Sequence, residues 1–128
     1  VLDYTQPGWQ KEVRSLSGGG VDATVDYVGE ATWRDSIKAT RSGGRILTCG
    51  ATTGAAPSAE LTHLFFRQLS VIGSTMGSRA DLEAALAAAD RGQLRPVLDR
   101  TLPLADAAAA HQLIEDRQVL GKLALSVE

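Results

Sequence analysis

Apolar positions follow two rhythms along the chain. Trp9, Val13 and Leu16 recur at i, i+4 and i+7 and predict a two-turn helix that Gly18 to Gly20 stop. Ahead of it, Val1 to Tyr4 reads as the end of a strand. Val21, Ala23, Val25, Tyr27 and Val28 then form a β-rich run with Asp22 and Asp26 as polar interruptions, which predicts a buried parallel strand. Trp33 and Ile37 share a face of a second helix. Thr32 and Asp35 have the spacing of a capping box at its start, and Gly43 and Gly44 read as its stop. "RILTCG" predicts the next strand, Leu61, Leu64 and Phe65 a short amphipathic helix, and Val71 and Ile72 the centre of a third strand. Strands alternating with helices over short links predict a parallel sheet with helices packed on its faces.

The pattern changes at Ser78. Leu82, Ala85, Leu86 and Ala89 mark a strong helix, with Ser78 and Asp81 as a capping box and Gly92 as its end. "RPVLDRTLP" reads as a short extended piece. Ala107, Ala110, His111 and Ile114 share the face of an alanine-rich helix, and "GKLALSVE" predicts a last strand. Alanine is the best helix former, so these alanine runs call for no special role.

Composition narrows the function classes. The 128 residues are one domain in size or a piece of a larger protein, and 44% are apolar, enough for a packed core. Thirteen basic against fifteen acidic residues, scattered along the chain, lack the basic footprint of a nucleic-acid binder. No apolar run approaches the roughly 20 residues that span a bilayer. One cysteine builds neither a disulfide nor a Cys-rich zinc site, and a lone thiol fits a reducing cytoplasm. The opening "VLDYTQ" carries no leader pattern and reads as cut from something longer.

Candidate chemistry gathers at strand ends. "YVGEA", "CGATTG" and "GSTMGS" each follow a strand, so parallel strands would bring all three turns to one rim, where ligands of open α/β sheets sit. Glycines that merely end strands and helices would give the same pattern. There is no G-x-G-x-x-G, no G-x-x-x-x-G-K-[ST] and no G-x-S-x-G, and "SGGGVD" has the wrong context for a phosphate loop. His63 and His111 read as packed or solvent-facing groups. Cys49 reads as a small buried filler, because no cation flanks it closely. Lys122 faces solvent or reaches a phosphate. No catalytic residue and no metal-ligand set can be named.

In order, "GGGVDATVDYVG", "ATRSGGRILTCGATTG", "LFFRQLSVIGSTMGSRADLEAAL" and "LPLADAAAAHQLIEDRQVLGKLALSV" resemble the C-terminal part of medium-chain dehydrogenases/reductases, the superfamily of zinc-type alcohol dehydrogenases and quinone oxidoreductases. The resemblance implies an α/β chain with a partial Rossmann fold: a parallel sheet with helices on both faces, then a C-terminal helix and strand segment. Residues 1–77 would be the second half of the dinucleotide-binding domain, and 78–128 the return segment to a GroES-like substrate domain. It implies NAD or NADP as cofactor and an alcohol, carbonyl or activated alkene as substrate. Zinc belongs to some members, but its ligands would lie upstream, as would the phosphate loop, leaving this part inactive alone with a weak grip on dinucleotide and an exposed sheet edge. Carried over by position, Val28 and Gly29 would border the adenosine side. Cys49, Gly50 and Ala51 would offer backbone to the nicotinamide and its ribose. Ile72, Gly73 and Ser74 would meet the carboxamide, and Lys122 the pyrophosphate region. Leu69 to Ser74 would be the edge of a homo-oligomer, unless the following helix covers it.

Two rivals share parts of the pattern. A Rossmann-like methyltransferase also has an acidic strand followed by helix, Gly-Gly-Arg and strand, but would end in an antiparallel hairpin. A non-catalytic remnant of a dinucleotide fold, used as an interaction surface, is the other.

Overall fold

The computed structural model describes residues 1–127. The chain divides into two compact units, Val1–Met76 and Gly77–Glu128. The fold is α/β, and the strands in both units pair in parallel.

In the first unit the order is helix α1 (Trp9–Leu16), strand β1 (Val21–Asp26), helix α2 (Trp33–Ala39), strand β2 (Thr40–Thr48), helix α3 (Leu61–Phe66) and strand β3 (Ser70–Gly73). The sheet order is β1-β2-β3, so β2 is central. The core sits where α2 covers β2. Ile37, Ala39 and Ile46 are buried, and each isoleucine contributes about 1.5–3 kcal/mol by leaving water.

Val1 to Tyr4 is not a strand. The Asp3 carboxylate accepts from the Thr5 N–H at 2.9 Å and the Thr5 hydroxyl at 2.7 Å, so the segment turns on its own side chain. Strand β1 is parallel but not a buried strand. Val25 and Tyr27 are exposed, and Asp26, read as a polar interruption, is its buried residue. Leu16 is exposed, off the packed side of α1. Thr32 is the N-cap residue of α2 but forms no capping box, because its hydroxyl donates elsewhere.

Gly43 and Gly44 do not stop α2, which ends at Ala39, but lie inside β2. Val21 pairs with Thr40 while Ala23 pairs with Arg45, so β2 bulges between those points. Gly43 takes a φ of 72°, and a Cβ on Gly44 would stand 2.5 Å from Thr40 Cγ2. The helix is ended instead by hydrogen bonds to its last carbonyls. The Thr40 hydroxyl donates to Ser36 O at 2.9 Å, Arg67 Nη1 to Ile37 O at 3.1 Å, and Arg14 Nη1 to Lys38 O at 3.2 Å.

The second unit runs helix α4 (Arg79–Asp90), strand β4 (Leu98–Pro103), a 3₁₀ turn (Leu104–Asp106), helix α5 (Ala107–Glu115) and strand β5 (Lys122–Ser126). The Ser78–Asp81 capping box forms as predicted. The predicted packing stripe of α5 does not bury: Ala110 is buried, whereas His111 and Ile114 are exposed.

Candidate functional site

Because β1, β2 and β3 are parallel neighbours, their carboxyl ends form one rim. Val28 and Gly29 leave β1, Cys49, Gly50 and Ala51 leave β2, and Ile72, Gly73 and Ser74 close β3. Eight of the nine residues singled out from the sequence therefore come to the ends of adjacent strands. Backbone bonds lock the exits: Cys49 N–H donates to Asp26 O at 3.3 Å, and Ser74 N–H to Thr48 O at 2.9 Å.

The residue that builds the β1 side of the rim is Asp26, which the sequence reading passed over. One carboxylate oxygen accepts from the N–H groups of Val28 (3.0 Å) and Gly29 (2.9 Å). The other accepts from the hydroxyls of Thr32 (2.9 Å) and Ser36 (2.7 Å). Burial pushes the carboxyl towards its neutral form, but these hydrogen bonds outweigh burial and hold its pKa below the ordinary aspartate value. The signal was present in the spacing. An Asp at a strand end reaches N–H groups two and three residues on, and hydroxyls at 32 and 36 share a helix face.

Thr53 was also missed. Its N–H and its hydroxyl both donate to Val28 O, at 2.9 and 2.7 Å, and its hydroxyl accepts from Ala31 N–H at 3.0 Å. The loop after β2 is thereby fastened to the loop after β1.

The rim glycines differ in what they make room for. At Gly29, φ is 90° and a Cβ would stand 2.6 Å from Gly54 O. At Gly50 a Cβ would stand 2.9 Å from Tyr27 O. Both are glycines because neighbouring backbone fills the space. Gly73 is the opposite case: a Cβ there would meet nothing within 4 Å. It is exposed and flanked by exposed Ile72 and Ser74.

Cys49 is exposed and free rather than a buried filler, because its strand has already ended at Thr48. Lys122, the ninth residue, opens β5 in the second unit, with its N–H donating to Val97 O at 2.9 Å. His63 lies in α3 with Nε2 3.3 Å from Glu60.

Comparisons with known proteins identify the family and agree with the fold. The family model described as zinc-binding dehydrogenase matches residues 1–125. The chain belongs to that family. Within it, the chain is similar to an acryloyl-coenzyme A reductase of Sulfurisphaera tokodaii, with 25% identity over 94% of this chain and 36% of the relative. Among solved structures, an NAD-dependent alcohol dehydrogenase is 44% identical with a TM-score of 0.85, over 98% of this chain and 37% of that one. A crotonyl-CoA carboxylase/reductase in complex with NADP is 28% identical with a TM-score of 0.81, over 93% of this chain and 30% of that one. The chain thus spans about a third of the length of the curated relatives it first matches. These comparisons favour neither the methyltransferase nor the non-catalytic rival.

Among the described residues, no group of three or more His, Cys, Asp or Glu side chains could hold a metal ion. The zinc of the family's description has no donor set in these residues. A nicotinamide dinucleotide fits better. Three strand ends present backbone on one rim, and at Gly73 the rim is open where a side chain would otherwise stand.

Proposed function

We propose that the protein carrying this chain is an NAD(P)-dependent oxidoreductase, that residues 49–51 and 72–74 form the nicotinamide side of its cofactor site, and that Val28 and Gly29 border the adenosine side. The observation that carries this reading is the single rim of three parallel strand ends with the open Gly73 at its β3 side. When bound, NAD(P) exchanges a hydride with the substrate, an alcohol, a carbonyl compound or an activated alkene. The chain's own residues bind and orient. Exposed Ile72 gives an apolar surface to one side of a flat ring, and the backbone around Gly73 and Ser74 offers the N–H and C=O groups that hold a carboxamide. Asp26 and Thr53 act through the loops they fix, so they are positioning residues.

Support for Lys122 is the family resemblance. Its replacement by alanine is expected to weaken dinucleotide binding by about 0.5–3 kcal/mol, the range for a charge-assisted contact.

The finer readings follow the same support. Strand β3 is an edge strand with all four residues exposed, which favours pairing with a second copy along Leu69 to Ser74. Val71→Lys, at an exposed edge position, should then shift light-scattering mass from dimer to monomer. Free, exposed Cys49 fits a cytoplasmic location, and no described helix is long and apolar enough to cross a membrane.

The test of the cofactor reading is Gly73→Val, followed by NADH and NADPH fluorescence titration. The new side chain enters open space, so the melting temperature should hold while dinucleotide affinity falls roughly tenfold, or about 1.4 kcal/mol. Unchanged affinity would remove Gly73 from the site.

A further inference from the structure

At the far end of β2 from the rim, an open cleft of about 450 Å³ is lined by Gln10, Lys11 and Arg14 of α1, Lys38 of α2, His63 of α3 and Arg67 just after it. Four of the six carry permanent positive charge, and none is a carboxylate. Part of this charge already serves the fold, since Arg14 and Arg67 each use Nη1 to cap the last carbonyls of α2. A guanidinium carries five N–H donors in a planar fork, so capping leaves donors over. Arg67 Nη2 is shielded from solvent and has no hydrogen-bond partner, and the same holds for the terminal amide of Gln10 at Oε1. That amide can turn to present its NH₂ instead. Nearby acids neutralise little of the cluster. Asp35 stands 3.8 Å from Lys38, and Glu60, beside His63, is also paired with Arg34.

Burial, and then the charge of Arg14, lower the pKa of Arg67, the direction expected of cations crowded together without a counter-ion. A doubly charged, multi-oxygen anion would relieve this crowding. It could accept from the Arg67 fork and the Gln10 amide while meeting the ammonium groups of Lys11 and Lys38.

We propose that this cleft is an anion site for a phosphate-bearing small molecule, separate from the dinucleotide rim. A free molecule fits better than an extended anionic surface, because the cations of α1, α2 and the residue after α3 converge on one cleft. The site stands on these side chains alone and does not depend on the cofactor reading.

The test uses inorganic diphosphate with the full chain, at constant ionic strength, followed by calorimetry and by amide shifts in NMR spectra. Saturable binding is expected, with shifts at Lys11, Arg14, Lys38 and Arg67 and none at Ile72, Gly73 or Ser74. The double variant Lys11→Ala/Lys38→Ala removes two charges that make none of the hydrogen bonds to the last carbonyls of α2. It should keep the wild-type melting temperature in anion-free buffer and raise the Kd for diphosphate roughly tenfold, the equivalent of losing one charge-assisted contact. Absence of saturable binding, shifts confined to the rim, equal binding by the double variant, or equal binding of acetate would each overturn the proposal.

Discussion

The two ends of the three-stranded sheet solve opposite problems. At the carboxyl end of β1, a buried anion, Asp26, collects N–H and O–H donors and fixes the loop that follows. At the amino end of β2, two arginines deliver donors to the carbonyls that α2 leaves unpaired. Asp26 is fully engaged, with four donors on two oxygens. The arginines are only partly used, and Arg67 Nη2 is left without a partner. Each end therefore has a different capacity to spare. The carboxyl end can offer a ligand only backbone and open space, whereas the amino end can offer unsatisfied charge. A neutral carboxamide suits the first and a phosphate the second.

The contrast between the ends is most vulnerable at Asp26. Replacing it by alanine strands buried hydroxyls and N–H groups, and should cost about 3 kcal/mol in chemical denaturation. The pH dependence has a definite sign. With its folded pKa held below the unfolded value, Asp26 contributes stability that is whole above about pH 4, the ordinary aspartate range, and is lost as pH falls through the lowered folded value. Asp26→Asn should flatten that acid-side loss. Next in size is Gly73→Val, which should reduce dinucleotide affinity roughly tenfold with no change in melting. Arg67→Ala should cost about 1–2 kcal/mol of stability through the lost α2 cap, and leave nicotinamide binding unchanged if the two ends are independent. The smallest effect belongs to Asp22→Asn. It removes an exposed ion pair with Arg41, and the melting temperature should not move measurably.

Much of the fold was legible because pattern and packing agree. The periods of α1, α2, α3 and α4 and the short strand runs have the right kind and nearly the right place, and the parallel rim follows from their order. Several failures share a cause: side-chain hydrogen bonds redirected the backbone. Asp3 turned a strand-like opening. The Thr32 hydroxyl went to Asp26 rather than to its own helix. Thr40, Arg14 and Arg67 ended α2 before the glycines that looked like its stop. Helices α3 and α5 close through Gln68 and Arg117 at φ values of 53° and 55°, positions where sequence suggests glycine. The candidate site was legible as positions but not as reasons. Gly50 and Gly73 look alike in sequence, and only the neighbouring atoms separate a glycine that fits against Tyr27 from one that faces open space. Exposure on β1, α4 and α5 was also hidden, because an apolar stripe shows which face seeks cover and not what covers it.

The assignment of the rim to the dinucleotide is decided by amide shift perturbations in the ¹⁵N-labelled chain on titration with NADH, which register even weak binding. The shifted amides should cluster at residues 28–29, 49–51 and 72–74, with the largest change at Gly73 and Ser74. Shifts that leave these three strand ends untouched, or spread without a focus, would refute the assignment.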